Sequence, residues 1–210
     1  MYQLYGYWRS SASWRLRWAL EVKGHDYKYH PVNLLKGEHK SPEHLKLNPS
    51  GKVPVLKTLN ETVLTQSMAQ LEFLEETSTN TPLLPSNALE RAQCRALCEI
   101  INADTAPFQT PFAQKRHSSD DGEKLKWAQE WISKGLTAFD ELSSQKGQFS
   151  MGDSLSMADL FLVPQIYNAI RYELDVEKTW PQLHQIYLNC LALPECQKSA
   201  PENQSDAPKS

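Results

Sequence analysis

The chain has no C-x-x-C pair, and its 210 residues hold only four cysteines: Cys94, Cys98, Cys190 and Cys196. That absence removes the dithiol exchange of a redox protein. Cys94 and Cys98 share a helical face, but no histidine stands at a matching spacing, so no metal-ligand pattern forms. All four read as buried, reduced thiols. No apolar run approaches the ~20 residues that a membrane helix needs. The opening residues, from Met1 to Tyr7, lack the basic start and long apolar stretch of a secretion signal, so the expected location is cytoplasmic. Basic residues do not outnumber acidic ones: 22 against 25, for a formal charge of −3. That balance argues against a general binder of nucleic acid or of anionic membranes, and leaves a local basic pocket open. Internal repeats are also missing.

What is present divides in two. Over the first 80 residues, strand-like and helix-like signals alternate. Tyr2 to Tyr7 reads as a strand and Ser11 to Lys23 as a helix stopped by Gly24. Tyr27 to Val32 reads as a strand that lies on an edge or ends early, because Pro31 has no N–H to give a ladder. Ser41-Pro42-Glu43 opens a short helix. Val53 to Leu56 and Thr62 to Leu64 form a hairpin, and Ser67 to Glu76 an amphipathic helix. The order β-α-β-α-β-β-α predicts a mixed four-stranded sheet, its first two strands parallel and its hairpin antiparallel. Residues 77–87 read as a linker. Helical patterns then run from Ala88 to about Ala103, Glu123 to Leu142, Ser156 to about Tyr172 and Trp180 to Leu191. The expected organisation is an α/β domain over 1–80, an all-α domain over 88–199 and a disordered polar tail over 200–210.

Several places carry chemistry-bearing residues, each with a plainer structural alternative. Trp8-Arg9-Ser10-Ser11 joins the first strand to the first helix, where ligands of such sheets bind. A hydroxyl and free N–H groups at a helix start suit an anion, yet Ser10, Ser11 or Ser13 also reads as a helix cap. No cysteine or carboxylate lies in this loop, so catalysis there requires an external nucleophile. At Val53-Pro54, a cis bond would leave Val53 free to pair its backbone with a peptide-like ligand, and a trans proline would simply start a strand. Gln66-Ser67 offers an amide, a hydroxyl and free N–H groups to a carboxylate, or only a cap. Ser156-x-x-Asp159 is a capping box, so Asp159 reads as a folding element worth about 1–2 kcal/mol rather than as an acid catalyst. Arg171, near a helix end, complements the helix dipole or binds a substrate carboxylate.

Together these residues resemble the zeta-class glutathione transferases over nearly the whole chain, from Met1 to about Glu195. Arg9-Ser10-Ser11-Ala12-Ser13-Trp14-Arg15-Leu16-Arg17 resembles that family's SSCSWR signature. Asn48-Pro49, Val53-Pro54, Gln66-Ser67, Pro107-Phe108-Gln109, Met157-Ala158-Asp159-Leu160 and Val163-Pro164-Gln165 resemble further family segments. The resemblance implies a thioredoxin-like domain followed by a helical one, and glutathione as cofactor. It implies that Ser10, with Ser11 beside it, hydrogen-bonds the glutathione sulfur. Val53, Gln66, Ser67, His39 and Gln109 would hold glutathione, and Arg171, with Gln109, the carboxylate substrate. The implied activity is cis–trans isomerisation of maleylacetoacetate in tyrosine breakdown, by addition and elimination of the thiolate. Conjugation or dehalogenation of small electrophiles, or binding without catalysis, are the alternatives. A homodimer is implied as well. The sequence departs from the family at two places: Ala12 replaces the signature cysteine, and Thr110 an asparagine.

Overall fold

The computed structural model describes residues 1–143 and 146–209. It falls into two compact units. One joins Met1–Pro82 to the C-terminal segment from Leu193 onward, and the other is Leu83–Ala192.

In the first unit the strands are β1 (Tyr2–Gly6), β2 (Tyr27–Pro31), β3 (Val55–Lys57) and β4 (Val63–Thr65), in the order β2-β1-β3-β4. β1 runs parallel to β2 and antiparallel to β3, which is antiparallel to β4. The mixed sheet expected from the alternating signals is therefore present, with β2 on an edge. The ladder of β3 begins two residues later than expected, after Pro54, which has no N–H to contribute. Alternate β1 residues Tyr2, Leu4 and Gly6 are buried, the period of a strand with one face on a core. That core takes Trp14, Leu16, Trp18 and Leu20 from helix α1 (Ser11–Val22) and Leu71 and Leu74 from α3 (Ser67–Thr77). The short helix α2 (Pro42–Leu47) starts with the Ser41 cap and Pro42 at its first turn, as the sequence signals.

Register decides where the loops meet. Tyr5 lies opposite Val55, and Val55 opposite Thr65. The carboxyl end of β1, the start of β3 and the carboxyl end of β4 therefore fall at one end of the sheet. Gly6 beside Pro31 adds the end of β2.

The second unit contains α4 (Ala88–Asn102), α5 (Pro111–His117), α6 (Asp121–Leu142), α7 (Met157–Arg171), α8 (Val176–Thr179) and α9 (Pro181–Leu191). Among its described residues there is no named strand, only an isolated bridge between Phe149 and Gly152. Helices α5 and α8 were not legible as patterns. α5 buries none of its residues, so no apolar period marks it; Thr110 caps it and Pro111 fills its first turn. α8 is one turn held by the Asp175 cap.

The expected disordered tail and the expected limit of the helical domain at 199 both require correction. α10 (Pro194–Ser199) packs on α1 in the first unit, with Cys196 and Ser199 fully buried. The Trp14 indole donates to Ser199 Oγ at 3.1 Å. Beyond it, Pro201–Asn203 form a 3-10 turn with Pro201 buried. Asn203 Nδ2 donates to the Gln197 carbonyl, and Gln204 Nε2 to those of Lys198 and Ala200. The polar residues that suggested disorder instead satisfy the open carbonyls at the end of α10.

Candidate active site

Ser10 is the N-cap of α1, with extended backbone, and its Oγ accepts the Ser13 N–H at 3.2 Å. A hydroxyl has one donor and two acceptor positions. Capping uses an acceptor and leaves the Ser10 proton for a ligand, so the two readings of this serine are compatible. Ser11 opens the helix beside it, half-buried. The loop ahead is stitched closed: Ser10 N–H donates to the Tyr7 carbonyl, and Tyr7 N–H to Ser13 Oγ. At its base Gly6 leaves little room: a Cβ there would lie 2.9 Å from Leu4 Cδ2 and 3.0 Å from Ser13 Oγ, so those side chains would have to shift.

The Val53–Pro54 bond is cis. Neither the N–H nor the C=O of half-buried Val53 has a hydrogen-bond partner among the described residues. The residue before it is pinned: the Lys52 carbonyl accepts Asn48 Nδ2 at 2.8 Å and lies 3.0 Å from His44 Nε2, both from buried residues. On the other side, Gln70 Nε2 donates to the carbonyls of Pro54 and Leu64. A rigid surround thus presents an open peptide unit at Val53. His44 and Gln70 were missed from sequence. Gln70 lies four residues beyond Gln66 on the inner face of α3, where polarity amid Leu71 and Leu74 was the available signal.

Gln66 holds the N-cap position of α3 with φ 70° and ψ 112°, and its side chain makes no capping hydrogen bond. A side chain other than glycine rarely holds a left-handed backbone, and such strain concentrates at functional sites. Gln66 itself is exposed. Ser67 is buried, and its hydroxyl accepts from Arg15 Nη1 at 3.4 Å.

His39 sits in the 3-10 turn Glu38–Lys40. Its carbonyl would lie 3.3 Å from a Cβ at Gly51, whose φ of +59° also favours glycine, so His39 abuts the loop leading to Val53. Its buried Nδ1 has no hydrogen-bond partner among the described residues. Burial, then the charges of Lys40 and His44, lower its pKa below the usual 6.5. The first unit thus gathers Ser10, Ser11, Val53, Gln66, Ser67 and His39 around one end of its sheet.

Gln109 and Arg171 belong to the second unit and form their own cluster. The amides of Gln109 and Gln165 pair reciprocally at 2.8 and 3.0 Å, both buried. This pairing leaves one amide hydrogen of Gln109 for a ligand. Tyr172 Oη donates to the Gln109 carbonyl and accepts from Gln114. Arg171, exposed at the end of α7, lies over the Tyr172 ring and donates to Asn168 Oδ1 at 3.2 Å. Tyr172 therefore joins the two expected substrate residues.

Asp159 is of another kind. Fully buried, its carboxylate accepts from the backbone and hydroxyl of both Ser150 and Ser156 at 2.6–2.8 Å. Burial pushes its pKa up, against the pull of those four bonds. All its capacity is spent on folding. A surface depression of about 270 Å³, lined by Glu21, His25, Asp26, Tyr27, Tyr29 and Lys198, contains none of the residues around Ser10.

The family profile described as the glutathione S-transferase N-terminal domain matches residues 1–76, and that of the C-terminal domain residues 104–198. The chain belongs to the glutathione S-transferase family. Within it, the similarity runs to the zeta class. The chain is 41% identical to the zeta-class glutathione S-transferase of Euphorbia esula, over 98% of this chain and 92% of that protein. It is 40% identical to the maleylacetoacetate isomerase of Dictyostelium discoideum, over 97% and 95%. Among solved structures, the maleylacetoacetate isomerase of Anaeromyxobacter dehalogenans with bound glutathione superposes with a TM-score of 0.89 at 40% identity, covering 99% of this chain and 98% of that one. A bacterial zeta-class maleyl pyruvate isomerase gives a TM-score of 0.93 at 35% identity, covering 98% and 100%.

Proposed function

We propose that this enzyme is a glutathione-dependent cis–trans isomerase of a cis-enedione acid of the maleylacetoacetate type, acting in tyrosine breakdown in the cytoplasm as a homodimer. The observation that carries this reading is the coincidence, at one sheet end, of a serine with an uncommitted proton, a peptide unit with no partner and a strained, exposed glutamine. These three features fit glutathione, which offers a sulfur, a peptide backbone and a γ-glutamyl carboxylate. When bound, glutathione supplies a thiolate that adds reversibly to a double bond conjugated with a carbonyl, allowing rotation about it.

The chain's own residues do the rest. Ser10 donates its O–H to the sulfur, with Ser11 adjacent. Val53 pairs its N–H and C=O with the cysteinyl backbone, as an added strand does. Gln66 and the Ser67 hydroxyl, at the N-terminus of α3, take the carboxylate. His39, neutral at pH 7, and the spare amide hydrogen of Gln109 supply further polar contacts. Arg171 anchors the substrate carboxylate, a pairing its planar fork favours.

A serine is sufficient to activate the thiol. A free thiol has a pKa of about 8.5, and lowering it by ~2 units takes about 2.7 kcal/mol. One hydrogen bond to a charged group supplies about 1.5–3 kcal/mol. The N-terminus of α1 adds about 0.3–1 kcal/mol.

The test is isomerisation of maleylacetone with and without glutathione. Turnover that depends on glutathione and leaves it unconsumed supports the reading. Conjugation or haloacid turnover without isomerisation would favour a general transferase, a reading to which Ala12, in place of the signature cysteine, is the pointer. Failure to bind millimolar glutathione by calorimetry would indicate a non-catalytic module. Sedimentation velocity tests the dimer.

A further inference from the structure

The C-terminal segment reaches the loop that carries Ser10. Trp8, two residues before Ser10, has both backbone polar groups taken by residues outside the loop. Its N–H donates to Asp206 Oδ2 at 3.0 Å, and its carbonyl accepts Arg17 Nη2 at 2.9 Å. Arg17, fully buried on α1, also donates Nε to the Ser199 carbonyl at 2.9 Å and Nη1 to that of Tyr7 at 3.5 Å. The circuit closes through the chain itself, since Ser199 and Asp206 lie seven residues apart on one segment. Tyr29 Oη, from β2, donates to the same Asp206 oxygen at 3.3 Å. Tyr7, whose carbonyl Arg17 holds, is also the residue that accepts the Ser10 N–H.

Asp206 is not needed to attach the segment. α10 is already docked through Trp14, Arg17 and buried Cys196, and Gln204 already closes its end. Beyond that point the chain brings a carboxylate to one backbone N–H of the active-site loop. Its other oxygen, Oδ1, is buried with no hydrogen-bond partner among the described residues. The carboxylate is thus committed to Trp8 and Tyr29 at the expense of its own solvation.

We infer that Asp206 is a positioning residue for Ser10: through the Trp8 N–H, and together with Arg17, it fixes the Tyr7–Ser10 loop so that the Ser10 hydroxyl meets the glutathione sulfur. The inference rests on the proposed role of Ser10. Positioning and simple electrostatics differ in sign. A nearby negative charge disfavours a thiolate, so if Asp206 acted by charge alone its removal would lower the pKa of the bound thiol. If it acts by position, removal loosens Ser10 and raises that pKa.

The experiment titrates thiolate absorbance of bound glutathione in the full-length protein, its Ser10→Ala reference, Asp206→Ala and Asp206→Asn, with folding checked by circular dichroism. A chain ending after Gln204 keeps the α10 anchors and serves if Asp206→Ala fails to fold. Because misplacement by about 1 Å can cost about 10²-fold, partial loosening by Asp206→Ala or the truncation is expected to lower kcat/KM for glutathione about tenfold. The thiol pKa should rise in both. Asp206→Asn retains an acceptor for Trp8 N–H and should lie near wild type. If Ser10→Ala raises the thiol pKa while Asp206→Ala leaves it unchanged or lowers it, the inference is overturned and the role of Ser10 stands. If Ser10→Ala itself leaves the pKa unmoved, both fall.

Discussion

Two helix N-termini in this molecule use the same residue type to opposite ends. At the start of α7, Ser156 and Ser150 surround the Asp159 carboxylate, and every donor finds its acceptor inside the protein. At the start of α1, Ser10 also caps, but no carboxylate answers it from the loop, and its proton remains available. The first site is fully buried and closed; the second is half-buried. A serine at a helix start is therefore closed, or left open to a ligand, according to how completely its surroundings satisfy it. The loops around Ser10 repeat the point: His44, Asn48 and Gln70 are committed to carbonyls, so that Val53 can stay uncommitted.

Breaking the closed site should cost the most stability. Asp159→Ala strands the buried donors of Ser150 and Ser156, each costing about 1–3 kcal/mol when unsatisfied, and should destabilise by about 3–5 kcal/mol, well above the 1–2 kcal/mol of a simple cap. Denaturant unfolding measures this, and the folded fraction should keep its thiol pKa. Opening the other site should do the reverse. Ser10→Ala should lower kcat/KM about 10²–10³-fold, as loss of a donor to a developing anion does, while costing only about 1 kcal/mol in urea melts. Arg171→Ala should raise KM for a carboxylate substrate about 10–100-fold, the worth of one charge-assisted hydrogen bond, with glutathione affinity by calorimetry unchanged. Gln66→Gly should split the two quantities by sign. Releasing the left-handed backbone should stabilise by about 1 kcal/mol, and loss of the amide should weaken glutathione binding several-fold. A variant that gained in both respects would remove Gln66 from the site.

pH should separate the sites as well. His39 titrates below 6.5 because burial and then Lys40 and His44 disfavour its charged form. Its folded pKa is depressed, so the neutral form present above 6.5 is lost as pH falls through the lower folded value. Any contribution of neutral His39 to glutathione affinity should fade in that acidic window, and His39→Gln should flatten the fading.

Much of this was legible in the chain because it is written in local signals. Strand-turn-helix order, the linker prolines and the capping box at Ser156 are read within a few residues, and each matches the fold. Ser10, Val53 and Gln66 were legible as positions with two meanings. Their choice depended on long-range facts: whether Val53 found a ladder partner, and which backbone region Gln66 occupied. α5 escaped notice because a helix with no buried face leaves no apolar period. The tail escaped because proline, asparagine and glutamine signal disorder by composition, whereas here Asn203 and Gln204 cap α10 and Pro201 is buried. Arg17 and Asp206 stand 189 residues apart in sequence, and no local pattern announces that both hold Trp8.

The central claim is that the open proton of Ser10 activates the thiol of bound glutathione. The direct measurement is thiolate absorbance against pH for glutathione bound to the native protein and to Ser10→Ala. The account predicts a native midpoint about 2 units below the free thiol's 8.5, and a rise of a unit or more on substitution. An unchanged midpoint in a folded Ser10→Ala protein that still binds glutathione would contradict it.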